Sequence, residues 1–72
     1  MNTTTDMRLS LKALRANKNL TQQELGKELN VTKKTISSWE KGTSVPSLKK
    51  VEEICAFFGV SYDSVRWNTK EV

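Results

Sequence analysis

Between Leu20 and Pro46 the chain reads Leu-Thr-Gln-Gln-Glu-Leu-Gly-Lys-Glu-Leu-Asn-Val-Thr-Lys-Lys-Thr-Ile-Ser-Ser-Trp-Glu-Lys-Gly-Thr-Ser-Val-Pro. Two short helix patterns lie here, each opened by a threonine, with almost no slack between them. Thr21-Gln22-Gln23-Glu24 matches the capping box, in which threonine and glutamate satisfy each other's free amides. The helix that follows runs to about Leu29 with Leu25 and Leu29 inward. Asn30 ends it. After glycine, asparagine best tolerates left-handed backbone angles, so a sharp turn is expected at this point. Thr32 caps the next helix, which runs to about Lys41 and is stopped by Gly42. Glycine inside a helix costs roughly 1 kcal/mol relative to alanine, so Gly26 needs a reason. A close crossing of the two helices, forced by the tight Asn30-Val31 turn, supplies one.

The rest of the chain extends the helical reading to five helices and no strands. A first helix spans about Met7 to Lys18 with Asp6 as its cap, and Met7, Leu11 and Leu14 form its apolar stripe at i, i+4, i+7. Asn19-Leu20 is a connector, and Thr43 to Pro46 form a loop. A fourth helix covers about Ser47 to Phe58, with Leu48, Val51, Ile54, Cys55 and Phe58 on a broad apolar face. Gly59 closes it, and Ser61 opens a short fifth helix carrying Val65. The fold class is all-α, one domain over residues 1–72, with about 1–5 and 69–72 expected to fray.

At 72 residues the domain is near the lower limit for folding without staples. One cysteine excludes an internal disulfide, and the absence of histidine leaves no metal-ligand spacing. Cys55, on an apolar face, reads as a buried inert thiol. No segment approaches the roughly 20 apolar residues that span a membrane, and the polar first residues are unlike a signal peptide. A cytoplasmic setting is expected, with no cofactor and no small-molecule ligand. Glu52 and Glu53 diverge on a helix and Glu24 and Glu28 read as solvated, so no acid/base constellation supports an enzyme.

The net charge of +4 is unevenly laid out. From Arg8 to Lys50 ten basic residues stand against three acids, a local +7, while from Val51 onward the balance is −2. Polarity of this kind suits a polyanion on one side, or equally a merely soluble surface. On a wheel of 100° per residue starting at Thr32, Ile36 falls near about 40° and Trp39 near about 340°, defining the core side. Ser37, Lys41, Lys34 and Ser38 fall opposite, and Lys33 sits on the flank. Lysine donates to guanine O6 and N7, and serine donates or accepts at base edges. An ordinary solvated face would look the same. Glu40, the only acid on this helix, lies at the margin of the core side, and Arg15 lies on the inner edge of the first helix. The pair is expected to form a partly buried salt bridge.

The Leu-Thr-Gln-x-Glu-Leu start, the Val-Thr-x-x-Thr-Ile-Ser-x-Trp-Glu-x-Gly core and the Val-Pro-Ser-Leu entry resemble the Cro/repressor helix-turn-helix family. This is the xenobiotic-response-element type found in phage repressors and many bacterial regulators. The resemblance covers roughly Arg8 to Val65. It implies a lambda-repressor-like domain whose third helix, about 32–41, reads the major groove as a dimer on a palindromic operator. By position it assigns base contacts to Lys33, Lys34 and Ser38, with Ser37 close by. Phosphate contacts fall to Gln22 and to Lys41, Gly42 and Thr43. The Arg15–Glu40 pair matches a bridge seen in family members. Asn30, where glycine is usual, and Gly26, where alanine is commoner, depart from the pattern.

Tyr62, Val65 and Trp67 admit two readings: closure of the bottom of the domain, or an apolar patch for a second protomer, since the family's fifth helix often lies at a dimer contact. The expected function is sequence-specific double-stranded DNA binding by a transcription regulator, most simply a repressor. The alternative is an antitoxin or other module acting mainly through a protein partner.

Overall fold

Four hydroxyls set where the helices begin. In a computed structural model, which describes residues 8–67, Ser10 Oγ accepts the Ala13 amide at 3.1 Å and opens α1 (Leu11–Asn17). Thr21 opens α2 (Gln22–Leu29) with both arms of the capping box made: Glu24 N donates to Thr21 Oγ1 at 3.0 Å, and Thr21 N to Glu24 Oε1 at 2.8 Å. Thr32 opens α3 (Lys33–Lys41), its hydroxyl accepting from Thr35 N at 3.1 Å. Ser47 opens α4 (Leu48–Phe58) by accepting from Lys50 N. Each such cap contributes about 1 kcal/mol. The ends of α2, α3 and α4 are set by left-handed residues: Asn30 at φ 59°, Gly42 at φ 80° and Gly59 at φ 68°.

Both ends of the fold differ from the sequence reading. The chain enters α1 as a two-residue strand, β1 (Leu9–Ser10), so Ser10 and not Asp6 caps the helix. Asp6, Met7 and the terminal stretches expected to fray lie outside the described residues. After Gly59 the expected fifth helix is a single 3-10 turn, Tyr62–Ser64, followed by β2 (Val65–Arg66). β1 and β2 pair in parallel, Leu9 opposite Val65 and Ser10 opposite Arg66. Two residues of pairing are too short to leave a period-2 pattern, and a turn of three residues too short to leave a helical one. The all-α class stands, as four α-helices with a small strand pair added among the described residues.

The core is built where the wheels put it. Leu25, Ile36 and Ile54 are fully buried, and Leu11, Leu29 and Trp39 complete one cluster with them. Burying each Leu or Ile side chain contributes about 1.5–3 kcal/mol. Leu20, Val31, Phe57, Phe58 and Trp67 pack around the cluster, and the two phenylalanines meet edge to face with centroids 5.0 Å apart. Val65 is also fully buried, so the last strand seals the domain. Leu48, expected inward, is 73% exposed: it is the first residue of α4, a turn before Val51 reaches the core. Cys55 is only half-buried, and burial pushes its thiol pKa up.

Candidate nucleic-acid interface

The α2–α3 corner is fixed by backbone. Val31 N donates to Gly26 O at 2.8 Å, and Asn30 takes the left-handed angles that turn the chain there. A Cβ on Gly26 would lie 2.6 Å from the Val31 carbonyl oxygen and 3.3 Å from the Thr32 carbonyl carbon. What excludes a side chain at Gly26 is therefore the turn itself, and not the body of α3. Gly26 thereby sets the direction in which α3 leaves the turn.

α3 is then held from behind. Ile36 and Trp39 are buried, while Lys33, Lys34 and Lys41 are exposed and Ser37 and Ser38 half-exposed. No carboxylate pairs with these three lysines among the described residues. Lys33 and Lys34 occupy the first two positions of α3, and no acid stands in that turn. The positive end of a helix disfavours cations by about 0.3–1 kcal/mol each. The fold alone gives no reason for two lysines at this place.

Glu40, on the other flank of α3, forms the anchor. Arg15 donates from Nε to Glu40 Oε2 at 2.6 Å and from Nη2 to Oε1 at 3.2 Å. Its Nη1 holds the Leu20 carbonyl of the α1–α2 connector at 2.8 Å. Gln22 Nε2 donates to Glu40 Oε1 at 3.0 Å. The Glu40 side chain is 5% exposed and that of Arg15 14%. Burial by itself would push the Glu40 carboxyl up. The hydrogen bonds from Arg15 and Gln22, with the charges of Arg15 and Lys12, outweigh it and hold the carboxyl below its ordinary range. The Arg15 pKa is pushed further up by the hydrogen bond to Glu40. Three helices meet at one carboxylate.

The segment after α3 is less open than the sequence suggested. Thr43 N donates to Ser38 O at 3.0 Å, the Thr43 hydroxyl donates to the same oxygen at 3.3 Å, and Gly42 N donates to Trp39 O at 3.3 Å. In this geometry the donors of Gly42 and Thr43 close the end of α3, and Lys41 alone of the three presents a free donor. Gln22 keeps one of its two amide hydrogens. Sequence reasoning also missed Lys50. Its Nζ donates to Leu29 O at 2.6 Å and to Glu53 Oε1 at 2.9 Å, tying α4 to the end of α2. The signal available was the unsatisfied carbonyls that end every helix, which a lysine can cap.

Tyr62, Val65 and Trp67 separate. Val65 belongs to the protomer's own core, which removes it as a contact for a second copy. Trp67 leans on the core cluster and donates from Nε1 to Tyr62 O at 3.3 Å. Tyr62 is 58% exposed and stacks on Trp67 with centroids 5.8 Å apart.

A helix capped by Thr32, pivoted on Gly26, anchored by Glu40 and cationic outward is the arrangement of a helix-turn-helix. The family of that description matches residues 11–65. The chain belongs to the helix-turn-helix family. It is 46% identical over 59 residues to an uncharacterised HTH-type transcriptional regulator of Methanocaldococcus jannaschii, covering 82% of this chain and 89% of that one. The cryptic phage CTXphi transcriptional repressor RstR of Vibrio cholerae is 38% identical over 50 residues, which is 69% of this chain and 45% of RstR. The antitoxin PezA of Streptococcus pneumoniae is 36% identical over 53 residues, covering 74% of this chain and 34% of PezA. No solved structure gives a significant match. No described helix is long and apolar enough to cross a membrane.

Proposed function

We infer that this helix-turn-helix protein is a sequence-specific double-stranded DNA-binding transcription regulator that acts as a repressor by occluding a promoter. The observation that carries the reading is the outer face of α3, where Lys33, Lys34 and Lys41 stand without a carboxylate partner among the described residues. Lys33, Lys34, Ser37 and Ser38 are assigned to base edges of the major groove. Lys41 and Gln22 are assigned to phosphates. Gly42 and Thr43 act at the backbone by shaping the turn that presents Lys41. These assignments need no cofactor and no catalytic group.

Two protomers reading half-sites about 34 Å apart on one DNA face would account for a palindromic operator. The exposed ring of Tyr62, backed by Trp67, is the surface assigned to the second protomer. Similarity to PezA favours as a second reading a module that works mainly through a protein partner.

Titration of the protein with a random-sequence duplex at several salt concentrations tests the DNA reading. Each phosphate neutralised by a lysine or arginine contributes about −0.9 to the log–log slope of affinity against salt, so binding should weaken as salt rises. Binding that is absent, or that ignores salt, turns the reading towards the protein partner.

A further inference from the structure

The contact between Gln22 and Glu40 is made by a neutral amide, although the two Arg15 hydrogen bonds already neutralise the carboxylate. Resting on the DNA-binding reading above, we propose that Glu40 is a positioning residue for a phosphate contact: it orients the Gln22 side-chain amide so that an N–H, and not the carbonyl oxygen, meets the DNA backbone.

The chemistry of the amide requires some such device. The two ends of a glutamine amide are nearly the same shape, one a double donor and the other an acceptor. Rotation about its last torsion is soft, so either end is easily presented. A phosphate oxygen only accepts, and an amide carbonyl turned towards it repels it. An ionised carboxylate is likewise acceptor-only, so Glu40 Oε1, 3.0 Å from Gln22 Nε2, tolerates the donor end alone. With one amide hydrogen held there, planarity fixes the direction of the other. Gln22 opens α2, where the first-turn amides already favour an anion, and its side chain is half-exposed.

A carboxylate this close to DNA would normally weaken binding. Here Arg15 neutralises it through contacts at 2.6 and 3.2 Å. Arg15 thus makes an acid acceptable at the edge of the interface, and the acid in turn aims a neutral donor. The same carboxylate sits on α3, so the phosphate contact made from α2 is registered against the helix that reads the bases.

The test is ethylation interference on a bound duplex, run on the full chain below the unfolding temperature of every variant. Gln22→Ala identifies the phosphate concerned, as the one whose ethylation no longer matters. Glu40→Gln is expected to lose interference at that same phosphate, to weaken binding about three- to tenfold, and to leave Gln22→Ala nothing further to remove. Interference that persists in Glu40→Gln, or two losses that multiply, would overturn the proposal. A purely structural role for Glu40 would lower stability without singling out that phosphate.

If Glu40→Gln does not fold, the wild-type Gln22 amide protons decide by NMR. The two protons resonate apart in any glutamine because the amide C–N bond rotates slowly, so the readout is the effect of DNA. It is expected to move only one of them, and an equal shift of both overturns the proposal. Interference that never depends on Gln22 overturns it while the DNA reading stands. A folded protein with no interference on any duplex removes that reading, and this proposal with it.

Discussion

Gly26 and Val31 approach so closely that a Cβ on the glycine would sit 2.6 Å from the valine carbonyl oxygen. The neighbour is backbone and cannot swing aside as a side-chain tip would. Gly26→Val is expected to destabilise the domain by at least about 2 kcal/mol, from overpacking and a β-branched residue in a helix. Denaturant midpoints measure this. A variant as stable as the parent would mean that the turn is looser than its geometry indicates.

Lys33 and Lys34 set binding against stability. Both lie at the positive end of α3, where no acid stands. Lys33→Gln and Lys34→Gln are each expected to stabilise the free protein by about 0.3–1 kcal/mol. The same changes should cost about 1–3 kcal/mol of site discrimination. Lys41→Gln should instead weaken binding to all sequences alike and reduce the salt slope by about 1. Thermal melts and competition titrations separate the two effects.

The Arg15–Glu40 bridge gives a pH dependence of definite sign. Its carboxyl is held below the ordinary range in the folded state. The stability it contributes is therefore fully present above the unfolded-state pKa of about 4.3 and is lost as pH falls through the lower folded value. Glu40→Ala is expected to cost about 2 kcal/mol at neutral pH, between an exposed pair and a fully buried one. The gap between parent and variant should narrow below about pH 4. A gap constant with pH would show that packing, and not charge, sets the effect.

Much of this site could be read from sequence because local chemistry determines it. Thr21, Thr32 and Ser47 sit at helix starts where hydroxyls fit, and Asn30 and Gly42 take the left-handed angles that end helices. The α3 wheel placed Ile36 and Trp39 inward, and both are buried. Apart from the Arg15–Glu40 pair, what escaped were contacts across the chain. The pairing of Leu9 with Val65, the reach of Lys50 to Leu29 and the grip of Gln22 on Glu40 join residues far apart in sequence. None leaves a periodic trace. The closed donors of Gly42 and Thr43 follow from one turn's angles, which composition does not encode.

Val65 and Tyr62 should part company on mutation. Val65 is 1% exposed and Tyr62 58% exposed. Val65→Ala is expected to cost about 2 kcal/mol through the cavity it leaves. Tyr62→Ala should barely change the stability of the protomer, while weakening any self-association seen by analytical ultracentrifugation. An effect of Tyr62→Ala on protomer stability as large as that of Val65→Ala would assign the ring to the core.

The central claim is that the outer face of α3 reads base sequence. Selection of bound duplexes from a random pool at roughly 150 mM salt, where non-specific attraction is partly screened, tests it most directly. The expected result is an enriched site whose half-sites repeat about one helical turn apart, with base preference lost in Lys34→Gln. A folded protein that enriches no sequence, or one whose preference survives loss of both Lys33 and Lys34, would contradict it.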